Sequence, residues 1–475
     1  MLTTKTRQAI KGVGLIVAVV LSVADGETRG DGFKANGAID VGLAVTVARH
    51  HLLRSETAGT FTLGGARAIC DPATGAVLCY CFDLQPRGYV VVSGATSLPP
   101  VIAYSFTSEA GSDTESGNPL IDLLRWDLGL RLDQVDRLPA AVAAEQRAAW
   151  GEYLAGVPRT LASRDFEQWP PAGSTPTGGW VLTNWSQDPN YSSLCPLDHV
   201  THQHSFAGCP AVAMAQIVNY HARLNRTHFN DTDDYYHSYQ NNYYWIDNSY
   251  ASWGFPSFPQ LNAHLDALFD NYFFGTTPSI TREAALVFAC GTAAKQVYSA
   301  SGSGTFSVSQ ALDAYQRFGC DTAVLLDANT PDLQVRLSKN MMSAHPAHLA
   351  VVNAGWTAGH NLVMDGYNTD GYYHLNFGWG GSYNGWYLLL VGLPYQLTVI
   401  EGVIADIMVD ECTPMDCNCD GVVAWSDFGY FRQVLAGPAV TYSAPGGRAF
   451  DANGDGDVDL DDFRVFQAAY NQPGS

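Results

Sequence analysis

One short run constrains this chain more than any other: Ala207-Gly208-Cys209-Pro210-Ala211-Val212-Ala213-Met214-Ala215-Gln216-Ile217-Val218-Asn219-Tyr220-His221. Proline has no N–H to donate and a fixed φ, so it suits the first position of a helix and spoils later ones. The helix must therefore open at Cys209-Pro210. Ala213, Gln216, Ile217 and Tyr220 then fall on one face. Cys209 sits where unpaired backbone N–H groups and the helix dipole favour an anion, and the thiolate is the nucleophilic form of cysteine. Most unpaired cysteines are buried and inert, so this one needs a partner before it means anything.

A partner is available about 150 residues on, in Gly359-His360-Asn361-Leu362-Val363-Met364-Asp365-Gly366-Tyr367-Asn368-Thr369-Asp370-Gly371-Tyr372-Tyr373-His374-Leu375-Asn376-Phe377-Gly378-Trp379-Gly380-Gly381. Two strand-like runs flank the turn-prone Asn368-Thr369-Asp370-Gly371, which predicts a hairpin. His360 would begin its first strand and Asn376 would end its second. A lone histidine is usually a satisfied surface or core residue; here the Gly-His pair, hairpin, Asn and Trp-Gly-Gly occur together.

With 475 residues, two to four domains are expected. The net charge of −21 excludes nucleic acid as the natural partner, since phosphate binding needs clustered Lys and Arg. Lys5, Arg7 and Lys11 precede an apolar run from Gly12 to Val23 that ends in Ser22-Val23-Ala24. That is the layout of a signal peptide cleaved after Ala24, predicting an exported chain with no membrane segment once it is removed. The run is short for a bilayer-spanning helix. A helix is expected over about 38–56, strands at 76–82 and 88–93 around a turn at 85–87, and helices between 119 and 154. The Pro-, Gly- and Ser-rich stretch 170–179 reads as an exposed linker.

The motifs resemble the streptopain family of papain-fold cysteine peptidases: Gly208-Cys209 leading into Ala213–Ile217 and Tyr220-His221, Gly359-His360 leading to Asn376–Gly381, and Trp185-Ser186-Gln187-Asp188-Pro189-Asn190-Tyr191. The Cys-then-His separation is close to that of papain-type enzymes. Upstream, Tyr89–Gly94 and Leu98–Tyr104 are similar to the family's propeptide. Pro210 and Phe377 depart from the family pattern, without removing a reacting group. The resemblance implies Cys209 as nucleophile, His360 as its acid–base partner, Asn376 orienting His360, Trp379 shielding that contact, and Gln187 donating to an oxyanion. Catalysis would need no cofactor. The implied substrates are proteins or peptides, with a hydrophobic residue preferred just before the one at the scissile bond. His199, His202 and His204 lack a completing metal motif and read as a polar loop. Ser299–Gly304 is no phosphate loop, for no Lys-Ser/Thr follows; the resemblance implies a loop lining the cleft.

Near the C-terminus one pattern occurs twice, starting at Asp416 and again 35 residues later at Asp451. Asp416, Asn418, Asp420 and Asp427, then Asp451, Asn453, Asp455 and Asp462, fall at loop positions 1, 3, 5 and 12, with Gly421 and Gly456 at position 6. This is calcium-loop logic, in which Val422 and Asp457 would contribute backbone carbonyls. Helical patterns follow both loops. The duplication resembles a dockerin type I module and implies two Ca2+ ions and a cohesin-like docking partner. Cys417 and Cys419 are unusual in such a loop and could pair with Cys412 or elsewhere.

The expected fold is α+β: a signal peptide (1–24), an α+β inhibitory propeptide (25–175), a papain-like two-lobed catalytic domain (176–408) and an all-α, EF-hand-like calcium module (412–475). The expected function is that of a secreted, extracellular or surface-attached endopeptidase zymogen that processes itself. A catalytically inactive binding protein on the same fold and a papain-fold acyl transferase are the alternatives.

Overall fold

The structure is a computed structural model and describes residues 37–54, 60–111, 118–137, 140–156, 166–239, 242–389, 399–409 and 412–470. The expected signal segment, 1–24, and the end of the C-terminal module lie outside the described residues.

The N-terminal part runs α1 (Val41–Arg54), β1 (Thr62–Cys70), β2 (Val77–Gln85), β3 (Tyr89–Ser93), β4 (Val101–Ser105), α2 (Pro119–Asp133) and α3 (Ala140–Leu154). Side chains alternate across a strand, and β3 uses both sides. Val90 and Val92 pack with α1 and Trp150 of α3, while Tyr89 and Val91 pack with Leu120 and Leu124 of α2. A strand covered on both faces reads as a continuous apolar run, and all five residues of β3 are buried. β1 was not foreseen. It is the edge strand, mostly exposed, with Gly64-Gly65 in its middle.

The larger part adds β5 (Gln168–Trp169), α4 (Cys209–His221), β6 (Tyr235–Tyr239), β7 (Asn242–Ile246), α5 (Tyr250–Trp253), α6 (Phe258–Phe274), α7 (Ile280–Ala293), α8 (Ser309–Arg317), β8 (Val324–Leu326), α9 (Leu333–Met342), β9 (Ala347–Val352), β10 (Gly359–Asn368), β11 (Tyr373–Asn376), β12 (Gly385–Tyr387) and β13 (Ile400–Ala405). Two apolar cores meet in it. One is built by α4, α6, α7 and α8; the other lies along the sheet beside α2 and α9.

The sheet does not stop at the expected boundary near residue 175. Its order is β1-β2-β3-β4-β12-β11-β10-β9-β13-β8, with β5 on β10. Tyr104 and Ala103 of β4 pair with Trp386 and Tyr387 of β12. The N-terminal segment thus supplies four strands to the sheet that carries His360. The linker is exposed from 171 to 174 and anchored where it ends: Trp180 and Val181 donate their N–H groups to the Asp365 carbonyl and carboxylate (2.8 and 2.9 Å).

The C-terminal part has α10 (Trp425–Val434) and α11 (Leu460–Ala469), each following one Asp-rich loop. This differs from the helix–loop–helix of an EF-hand: among the described residues only a short 3-10 turn, Pro445–Ala449, lies between α10 and the second loop. A disulfide joins Cys412 to Cys419. Phe431, Phe450 and Phe466 form a small aromatic core into which Phe273 of α6 inserts, and the Tyr430 hydroxyl donates to Asp270 at 2.7 Å.

Candidate active site

Helix α4 starts at Cys209, with Pro210 in its first turn and Gly208 as N-cap at φ +86°. A side chain on Gly208 would need the left-handed region and would run into Gln296, whose Oε1 lies 2.4 Å from an ideal Cβ. Gln296 also fixes the approach, donating from Nε2 to the Ala207 carbonyl at 2.8 Å. Cys209 emerges half-buried from this corner.

His360 stands at the start of β10, 9% exposed, within hydrogen-bonding reach of the Cys209 sulfur. Its Nε2 donates to the Phe377 carbonyl at 2.9 Å, which leaves Nδ1 for Cys209. The Phe377 ring lies nearly parallel to the imidazole, with centroids 6.1 Å apart.

The electrostatics favour the charge-separated pair. Burial pushes the Cys209 thiol up, but the His360 charge, its hydrogen bond and the Asn361 donors outweigh this and leave the thiol below its ordinary value. Burial likewise pulls His360 down. The Cys209 charge and hydrogen bond, the Phe377 carbonyl and the Asp122 carboxylate of α2 together hold it above its ordinary value. Opposite shifts in two contacting groups are what a thiolate–imidazolium pair requires.

The expectation for Asn376 is corrected. It ends β11 as foreseen, but its amide donates to the Thr183 carbonyl (2.9 Å) and to Gln216 Oε1 (3.3 Å), and its Oδ1 accepts from the Gly378 N–H (3.0 Å). Its side chain pins the 183–185 segment and the Gly-rich turn, so the next residue's carbonyl meets the imidazole instead. Trp379 is also corrected. It is 38% exposed and its ring meets Tyr383, while the ring stacked on His360 is that of Phe377. Gln187 is half-buried, and its carbonyl accepts from the Ala207 N–H at 3.1 Å, which sets it beside the nucleophile's segment.

The three histidines before Cys209 go separate ways. His199 Nδ1 meets the Tyr244 hydroxyl at 3.1 Å, His204 Nδ1 meets the Cys195 carbonyl at 2.6 Å, and His202 is exposed. The Ser299 carbonyl accepts from the Phe206 N–H at 3.1 Å, so the Ser/Gly-rich loop braces the approach to Cys209.

The two Asp-rich loops share one hydrogen-bonding plan. Position 1 accepts from the position 6 N–H (Asp416 from Gly421 at 2.8 Å, Asp451 from Gly456 at 3.0 Å). Position 3 accepts from the position 5 N–H, Asn418 from Asp420 and Asn453 from Asp455, both at 3.0 Å. Position 12 accepts from positions 2 and 9: Asp427 from Cys417 and Ala424, Asp462 from Ala452 and Asp459. Among the described residues, carboxylate oxygens of Asp416, Asp420 and Asp427 converge within 4.8 Å, as do those of Asp457, Asp459 and Asp462. The second group differs from the expected set: Asp457 joins through its side chain, and Asp459, which also N-caps α11, was not foreseen. Val422 is 38% exposed, and Arg226 pairs with Asp420.

Residues 185–387 match the Peptidase C10 family. Streptopain of Streptococcus pyogenes is 23% identical over 326 residues, spanning 65% of this chain and 73% of that protein. Among solved structures, a fragment of prointerpain A from Prevotella intermedia is 21% identical with a TM-score of 0.46, covering 74% of this chain and 99% of that one. Active interpain A cysteine protease of the same organism is 24% identical with a TM-score of 0.36, covering 49% and 94%. On the Peptidase C10 match over residues 185–387 and the streptopain likeness, this chain is a cysteine-type peptidase.

Proposed function

We propose that this peptidase is a secreted endopeptidase, made as an inhibited precursor that processes itself and is held in place by a calcium-dependent docking module. The contact between Cys209 and His360 at the start of α4, with their opposed pKa shifts, is the observation that carries the catalytic part. The Cys209 thiolate attacks the peptide carbonyl carbon and the carbonyl electrons move onto oxygen. That oxyanion is held by the Cys209 backbone N–H and the Gln187 side chain. As the intermediate collapses, the leaving amine takes the His360 proton, leaving a thioester. His360 then takes a proton from water, the hydroxide attacks, and the acid departs as the thiolate re-forms. The Phe377 carbonyl holds the imidazole throughout.

Self-processing is supported by the exposed stretch 171–174, which joins the N-terminal strands to the catalytic part. Inhibition is supported by α2, whose Asp122 is close enough to act on His360. Export rests on the signal-like segment 1–24. No helix among the described residues is long and apolar enough to cross a membrane. The carboxylates that converge in the C-terminal loops offer oxygen donors, the chemistry that hard cations take. Asp416, Asp420 and Asp427 would hold one Ca2+, with Asn418 and the Val422 carbonyl beside them. Asp457, Asp459 and Asp462 would hold the second, with Asp451, Asn453 and Asp455 in the same loop. Bound calcium would neutralise the crowded carboxylates and fix both loops for a cohesin-like partner.

Expressing the wild type and Cys209→Ala without the first 24 residues tests the catalytic reading. Wild type should shorten itself near 171–179 and then cleave casein, while the variant stays full length. Identical processing with no casein cleavage by either sinks both claims. Products bearing a transferred amine would instead identify an acyl transferase.

A further inference from the structure

Besides His360, a chain of polar side chains reaches Cys209. Asn361 follows His360 on β10, and its Nδ2 lies 4.0 Å from the Cys209 sulfur, a long N–H···S contact. Its Oδ1 is 2.7 Å from His348 Nε2. His348 is on the neighbouring strand, where the register pairs Asn361 with Ala350 and His348 with Val363. The two side chains are thus diagonal neighbours on one face of the sheet. His348 Nδ1 in turn lies 3.1 Å from the hydroxyl of Tyr315 on α8. Both His348 and Tyr315 are fully buried.

One polarity satisfies every member of this chain. Burial holds His348 down to about 4, so it is a neutral imidazole at the pH of any peptidase reaction of this kind. A neutral imidazole donates from one nitrogen and accepts at the other. With Asn361 Oδ1 at 2.7 Å from Nε2, the His348 proton is on Nε2, and Nδ1 accepts from the Tyr315 hydroxyl. The amide then has one orientation, with its N–H groups turned to the sulfur. Reversal would place an oxygen lone pair against the thiolate and leave a buried imidazole N–H facing another donor.

We infer that Asn361 is a further catalytic residue, a donor to the Cys209 thiolate, and that His348 and Tyr315 are positioning residues that fix its amide with the N–H toward sulfur. This rests on the peptidase reading of Cys209, and it adds a second stabiliser of the thiolate besides His360. Once sulfur is acylated, the same amide faces a neutral thioester. Its contribution is therefore largest for the free thiolate, and it sets how much of the enzyme is poised at low pH.

The test measures alkylation of Cys209 by iodoacetamide against pH in the full chain, following the Cys209 peptide by mass spectrometry. Wild type should alkylate with a midpoint below that of an ordinary thiol. Asn361→Ala should raise the midpoint by about one unit, roughly tenfold less thiolate on the acid limb. Tyr315→Phe, which keeps the ring, should move it in the same direction by less. His348→Leu should resemble Asn361→Ala, and His348→Gln, which retains a donor, should recover part of the shift. Unchanged midpoints in Asn361→Ala and Tyr315→Phe, at unchanged melting temperatures, overturn the inference and leave the peptidase reading standing. An ordinary midpoint in wild type overturns both. If His348→Leu and His348→Gln are equally shifted, the imidazole is only packing and its positioning role is wrong.

Discussion

Asn376 and Phe377 are neighbours in sequence, yet only the second touches the imidazole, through a backbone carbonyl. That contact could not be read from the sequence, because every residue carries the same carbonyl and only the turn decides which one arrives. Cys209 and His360 were legible because their side chains are scarce, chemically distinct and framed by a proline, glycines and a hairpin. Asn361 was passed over because its neighbour His348 lies on another strand, and register is invisible in one sequence. The correction has a measurable consequence. Asn376 is buried with three segments hanging on it, so Asn376→Ala should destabilise the protein by about 1–3 kcal/mol. The pH dependence of kcat in the folded fraction should stay unchanged; a shifted alkaline limb would restore the orienting role. Asp122 offers the complementary case. Its carboxylate is among the groups that hold His360 above its ordinary value in the precursor. Asp122→Asn removes that attraction, so the His360 pKa should fall and the imidazolium should be lost at lower pH. NMR titration of labelled histidine in the precursor reads this directly, and an unmoved His360 resonance contradicts it.

At the level of elements, legibility followed burial. β2 and β3 were readable from their Val and aromatic runs, whereas β1, exposed and interrupted by Gly64-Gly65, carries no such run. It is a strand because β2 offers it an edge, a tertiary cause. The start of α4 was readable to the residue, and Gly208 is its tightest point. Gly208→Ala forces both a left-handed alanine and a collision with Gln296, at a cost of about 1–3 kcal/mol. Because the strain is released by moving Cys209, kcat should fall by more than thermal stability alone implies; an active, equally stable variant would contradict this. The Asp-rich loops were readable as a repeat, while the convergence of Asp457 and Asp459 depended on how α11 is capped. Calcium at a hundredfold excess over its dissociation constant should add about 2.7 kcal/mol to the module's stability. Asp427→Ala and Asp462→Ala should each remove part of that gain. Melting curves with calcium and with chelator decide it, and superimposable curves in wild type exclude a folded-state site.

The whole molecule is where the sequence was least informative, for a linker rich in proline and glycine suggested separable parts and the sheet joins them. The join is built like an interior. Arg131 and Asp127 of α2 form a buried ion pair at 2.9 Å. Asp127 also accepts from the Tyr387 hydroxyl at 2.7 Å, and Arg131 donates to the Leu388 and Leu389 carbonyls at 2.9 and 3.0 Å. Tyr387 and the two leucines belong to the catalytic part, so charges of the N-terminal part are compensated across the boundary. Removing one member of a buried pair strands the other, which costs about 3–5 kcal/mol, whereas replacing both by apolar groups is often nearly neutral. Arg131→Ala should therefore lower the precursor's urea midpoint strongly. A double change, Asp127→Leu with Arg131→Met, should lower it much less. Neither can affect the enzyme once its N-terminal part, and α2 with it, has been released. The same arithmetic bears on activation. If the N-terminal part left after the linker is cut, β12 would lose the strand beside it and present unpaired N–H and C=O groups. The cut N-terminal part should therefore stay bound until something destroys it, and Arg131→Ala should speed its release. If cut wild type and cut Arg131→Ala free the fragment at the same rate on size-exclusion chromatography, the buried pair does not govern the join.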